Sequence, residues 1–160
     1  MNVQYQIITT FLTQIIYTQH IHRITRKTTL RVHSFSSFVY KKTDHGPPLK
    51  YKDIKIISMD VLLFPINYDD HWSLFVVKDP AALKEVYEST KSRMTKTQSH
   101  PIFLFFDSAK TNEIHSFERI GVTIITWLLW NLNDTNKMKV NTQRMRDMLT
   151  TYGYAPQGMY

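Results

Sequence analysis

The chain has 160 residues, of which 42% are hydrophobic and 13% aromatic, with only 4 glycines and 6 prolines. That is enough apolar material for one domain with a sizeable core, and it excludes a disordered or low-complexity chain. The net charge of +7 favours acidic partners, while the absence of any cysteine excludes disulfides, thiolate metal sites and a thiol nucleophile within these residues.

The first predicted element is a helix. Ile7, Ile8, Phe11, Leu12, Ile15 and Ile16 recur as adjacent pairs four residues apart, and Thr9, Thr10, Thr13 and Gln14 lie outside that stripe. A basic, Thr-rich connector follows from about His20 to Arg31. Phe35, Phe38 and Val39 give a second short helical stripe, and His45-Gly46-Pro47-Pro48 reads as a turn. The middle changes character. Val61-Leu62-Leu63-Phe64 and Leu74-Phe75-Val76-Val77 read as two buried antiparallel strands, joined by the polar turn Asn67-Tyr68-Asp69-Asp70.

Asp79-Pro80 then offers a helix N-cap followed by proline at the first helical position. Leu83, Val86, Tyr87 and Met94 supply that helix with an apolar face, Pro101 ends it, and Ile102 to Phe106 forms a third strand closed by Asp107-Ser108. Phe117, Ile120, Ile124, Trp127 and Leu128 predict a further helix, broken at Asn133-Asp134-Thr135-Asn136, and Arg144 to Thr151 predicts another. The most apolar run, Ile120 to Leu132, falls short of the ~20 residues a membrane span needs, so a buried helix is expected and no membrane association. The order of elements is an α+β pattern.

Basic residues are dispersed, from Arg23, Arg26 and Lys27 through Lys50, Lys52 and Lys55 to Lys91, Arg93 and Lys96. No aromatic-plus-basic RNA motif or zinc-finger spacing accompanies them, so no nucleic-acid partner is expected. No charged start followed by an apolar core suggests a secretory signal, and the lack of cysteine is compatible with a reducing compartment.

Reactive groups concentrate at two strand ends. His71-Trp72 opens the second strand, and Asp107 closes the third. If those strands are neighbours, the two ends meet and an imidazole lies beside a carboxylate. A carboxylate bonded to one ring nitrogen fixes the tautomer and stabilises the charged ring, and the other nitrogen can deprotonate a nucleophile. Taken alone, one His and one Asp at strand ends are equally compatible with turn and capping roles. Ser108, adjacent to Asp107, points to the opposite face of the strand and is a poor substitute nucleophile.

The longer series is Phe64-Pro65-Ile66-Asn67, then His71-Trp72-Ser73-Leu74-Phe75-Val76-Val77, then Phe105-Phe106-Asp107-Ser108. It closely resembles the ubiquitin-like-protein-specific proteases, the SUMO and sentrin cysteine peptidases of papain-like fold. Ile7 to Leu12 looks like that family's first substrate-groove helix and His33 to Lys41 like its second, so the resemblance runs through nearly the whole chain. It implies an incomplete papain-like fold, with a small mixed or antiparallel sheet and flanking helices. One domain spans 1–160, with an insert at about 79–97 outside the cleft.

The resemblance further implies that His71 is the general base and Asp107 its orienting partner. Trp72 would wall the tunnel for the modifier's Gly-Gly tail, which suits residues without Cβ. It also implies SUMO or another ubiquitin-like protein and its conjugates as partners, no metal or other cofactor, and an intracellular setting, nuclear or cytoplasmic.

Besides the insert, which lengthens the interval from His71 to Asp107, the sequence departs from the family pattern in two places. Asn2-Val3-Gln4-Tyr5 replaces the stretch that carries a second tunnel tryptophan. The family's Pro-Gln-Gln run and its Asp-Cys-Gly are answered only by Ala155-Pro156-Gln157-Gly158-Met159-Tyr160. The cysteine there would attack the carbonyl while a glutamine donates to the oxyanion. Gln157 is the one candidate donor, although strict register sets the oxyanion glutamine on Gly158. The expectation is a family member cut short before its nucleophile and inactive as it stands, with an Asp-Cys-Gly run encoded past Tyr160. The alternatives are a non-catalytic module that binds a ubiquitin-like protein, and a non-functional fragment that does not fold stably.

Overall fold

A computed structural model describes residues 30–40, 55–68, 71–89, 99–107, 117–132 and 141–154. Within them the chain forms a five-stranded sheet in the order β1-β2-β3-β4-β5. The strands are β1 (Val32–Ser34), β2 (Val61–Tyr68), β3 (His71–Lys78), β4 (Ile102–Asp107) and β5 (Gly153–Tyr154). β2, β3 and β4 are antiparallel neighbours, while β1 on β2 and β5 on β4 are parallel. The helices are α1 (Ala82–Glu88), α2 (Phe117–Leu132) and α3 (Thr142–Tyr152). The sheet is therefore mixed and the class α+β, as the pattern predicts.

Strand alternation separates the two faces of the sheet. Leu62, Phe64 and Ile66 of β2, Phe75 and Val77 of β3, and Phe103 and Phe105 of β4 are buried and share one face through their cross-strand register. α2 lies across this face. At its start Phe117 stacks on Phe75 with ring centroids 5.9 Å apart and packs at the same distance on Phe105. Near its end Trp127 meets the edges of Phe35 at 5.1 Å and Phe64 at 5.9 Å. The helix thus bridges from the β3–β4 pair to the β1–β2 pair, and the adjacent aromatic contacts define the core.

α3 packs behind α2 at a glycine. A Cβ at Gly121 would come within 2.6 Å of the Leu149 side chain, so the bare backbone is what allows the two helices to approach. α3 has a side-chain N-cap, Asn141 Oδ1 accepting from the Arg144 N–H at 3.1 Å. Arg144 also joins α3 to α1. Its guanidinium lies 5.4 Å from the Tyr87 ring centre and donates to the carbonyls of Val86 and Ser89 at the end of α1.

Three sequence expectations are corrected here. The helix expected at Phe35, Phe38 and Val39 is preceded by a strand, since Val32, His33 and Ser34 pair with Val61, Leu62 and Leu63, and among the described residues 35–40 helix begins at Phe38. The three residues are too few to display a period of their own, and their partner decides their state. Asn67 and Tyr68 belong to β2, not to a turn, and pair with Trp72 and His71. Asp79 does not cap α1. It takes a left-handed conformation (φ 53), and the N-cap is Ala81, which makes no side-chain cap bond. Asp tolerates that conformation, and the chain reverses there through two short turns, Ala82 N–H to Asp79 O and Leu83 N–H to Pro80 O, each 3.1 Å.

The expected helix at Ile7 to Ile16, the connector from His20, the turn at His45, Met94, the break after Asn133 and the C-terminal Ala155 to Tyr160 lie outside the described residues.

Candidate active site

The hydrogen-bond parity of the sheet determines how the site is built. Val61 donates its N–H to the Arg31 carbonyl and the Leu63 carbonyl accepts from Phe35 N–H, so the odd-numbered residues of β2 direct their backbone groups toward β1. The even-numbered residues therefore bond to β3. Pro65, which has no N–H to give, falls on the β1 side just past the point where β1 ends, so a proline is accommodated within an otherwise regular strand.

The same parity carries across β3. Residues 71, 73, 75 and 77 bond to β2, and residues 72, 74, 76 and 78 bond to β4. Ser73 and Asp107 are direct partners across β3 and β4, and by this parity they form a non-hydrogen-bonded pair, the type with Cα atoms only about 4.5 Å apart and side chains closest.

The strand ends predicted to meet do meet. β3 begins at His71 and β4 ends at Asp107, at the same end of the sheet. His71 stands two residues before Ser73 in the chain, and Ser73 is the direct strand partner of Asp107. Asp107 is half-buried and Ser73 is buried.

Trp72 sits on the opposite face, half-buried and paired with Asn67. It shares that face with Leu74 and Phe106, which are also direct partners. Trp72 and Ser73 thus lie on opposite sides of the sheet at this strand end. Gln157 and Ser108 lie outside the described residues.

Among the described residues, Arg31, His33 and Asp60 have shifted pKa values, and all three lie toward the opposite end of the sheet. His33 on β1 is half-buried with its ring 4.6 Å from that of Phe35, and desolvation lowers its pKa. Asp60 is held at about 2 by hydrogen bonds from the Arg31 side chain and then from its backbone. The contacts are Arg31 N–H to Oδ2 at 2.7 Å and Nη2 to Oδ1 at 2.8 Å. This pair fixes the entry into β1 against the start of β2. Among the described residues, no group of three or more His, Asp or Glu gathers as a metal site, and no helix is long and apolar enough to cross a membrane.

The model of the Ulp1 protease family, C-terminal catalytic domain, matches residues 6–148. The chain belongs to the Ulp1 protease family. No curated protein matches the sequence. The matched span takes in every strand that forms the candidate site, from β1 through β4, together with α1, α2 and most of α3. A protease function is thereby established at the level of the Ulp1 family. The thiol on which cysteine peptidases depend is not among these 160 residues, because the sequence has no cysteine.

Proposed function

We propose that this chain is the modifier-recognising part of a cysteine-type peptidase acting on SUMO or a related ubiquitin-like protein, with His71 as general base and Asp107 as its orienting carboxylate. One observation supports the reading: β3, which begins at His71, and β4, which ends at Asp107, are antiparallel neighbours whose ends lie at the same end of the sheet, within a chain of the Ulp1 family. The imidazole would accept a proton from an attacking thiol, and the carboxylate would hold the ring in the productive tautomer and stabilise its charged form. Trp72 would wall the passage for the modifier's glycine tail, where a flat ring admits a chain lacking Cβ.

These residues supply no thiolate, so on their own they would bind a modifier and leave its scissile bond intact. The test titrates labelled SUMO, ubiquitin and related modifiers into the chain. Saturable binding to at least one, weakened by Trp72→Ala, is the expected result, with no release of a fluorogenic group from the modifier's C-terminus. Lack of binding to all of them would overturn the proposal, as would turnover that His71→Ala abolishes. The reading also implies an intracellular setting, nuclear or cytoplasmic, which imaging of a tagged chain would test.

A further inference from the structure

Arg144 carries its charge at the wrong end of its own helix. It stands three residues past the N-cap Asn141, in the first turn of α3, where the helix dipole favours an acid and the turn has none. The guanidinium is directed instead at the C-terminal end of α1. It donates to the carbonyls of Val86 and Ser89 and lies 5.4 Å from the Tyr87 ring centre. The last carbonyls of a helix lack partners within it, and the dipole favours a cation there. The charge that is unfavourable for α3 is thus favourable for α1.

A second contact runs the other way. The Tyr87 hydroxyl accepts from the Asn141 N–H at 2.7 Å, and the Asn141 side chain in turn accepts from the Arg144 N–H at 3.1 Å. Each helix therefore supplies what the other's end lacks. Val86 and Tyr87 are each only 7% exposed, so water competes poorly for these bonds. At seven residues α1 is too short to hold as a helix by itself.

We propose that Arg144 and Tyr87 form a latch that makes α1 and the first turn of α3 a single opening unit, so that neither detaches while the other stays ordered. The latch joins the β3–β4 connection to the start of α3 across 55 positions of sequence, between Ser89 and Arg144. β3 leaves the sheet toward α1 at Lys78, the end away from Asp107, so the latch is independent of the roles given to His71 and Asp107. The competing account holds α1 in place by its buried Leu83 and Val86 alone, with Arg144 as an accessory.

Hydrogen exchange of the native full chain tests this. The probes are the Ser89 N–H, bonded to the Glu85 carbonyl at 2.9 Å in α1, and the Met145 N–H, bonded to the Asn141 carbonyl at 3.3 Å in α3. An amide's exchange rate tracks the opening constant of the unit to which it belongs. Arg144→Ala removes bonds from a charged donor and is expected to speed both probes by one common factor, about ten- to a hundredfold, while the β3 and β4 amides keep their native rates. Tyr87→Phe keeps the ring and removes only the acceptor for Asn141. It is expected to speed both probes by a smaller common factor, about three- to tenfold. Acceleration of one probe without the other, in either variant, would overturn the proposal, because the helices would then open separately. Equal acceleration of the β3 and β4 amides would also overturn it, as would unchanged rates. Should Arg144→Ala fail to fold cooperatively, Arg144→Lys, which keeps the charge and loses the planar fork, takes its place and is read in the same way.

Discussion

Replacing Gly153 by alanine separates two effects that usually act together. Gly153 caps α3 and opens β5 with extended backbone (φ −92, ψ 147), and its N–H bonds to the Leu149 carbonyl. Those angles suit any L-residue, so the backbone alone predicts that Gly→Ala stabilises by about 0.4–1 kcal/mol, through loss of freedom in the unfolded chain. The surroundings predict the reverse. An added Cβ would strike the Leu149 carbonyl oxygen and come within 2.5 Å of the Phe117 ring. Phe117 is itself wedged over Phe75 and Phe105 and has little room to retreat.

Overpacking of this kind costs about 1–3 kcal/mol, so a net loss of about 1–2 kcal/mol is expected. For a chain of this size that lowers Tm by roughly 3–6 °C. Urea unfolding followed by tryptophan fluorescence, with a thermal scan beside it, reads both quantities. A variant as stable as the native chain, or more stable, would refute the argument that β5 is held against α2 by the absence of a side chain.

Three further outcomes follow from the same structure. Trp127→Ala removes the ring that joins Phe35 and Phe64 under α2 and should cost about 3–5 kcal/mol in denaturant unfolding. Asp60, held at about 2, contributes stability that is complete above the ordinary carboxylate range and is lost as pH falls toward 2; in Arg31→Ala its NMR titration should move back toward 3.8. His33 has the opposite cause. Its lowered pKa means that the unfolded chain takes up the proton first, so stability is full above 6.5 and declines as pH falls below it. His33→Phe should flatten the dependence of Tm on pH between about 7.5 and 5.5.

The central strands were legible because β2, β3 and β4 are long apolar runs whose burial leaves a plain signature, and α2 and α3 because their apolar positions repeat with helical spacing. β1 and β5 were not. Val32–Ser34 and Gly153–Tyr154 are strands only because a longer neighbour offers them backbone partners. The reversal at Asp79 was misread for a related cause, since Asp-Pro before an apolar stripe also suits a cap. Of the candidate site, the adjacency of the start of β3 and the end of β4 was readable from the apolar runs alone. Which β4 residue lies opposite each β3 position was not, because that register is decided by pairing between strands more than twenty positions apart.

The alternation along β3 has a consequence for how this chain can change length. Trp72 and Ser73 lie on opposite sides of the sheet, so losing or gaining one residue later in the strand would send the indole to the core side and the hydroxyl to the other. Substitutions there can be absorbed, but changes in spacing cannot. The other end of the hairpin is different. β3 leaves the sheet at Lys78 and β4 re-enters at Ile102, at the edge farthest from Asp107. The connection can lengthen or shorten there without altering which residues face each other at the site, so variation in length is confined to that side of the molecule.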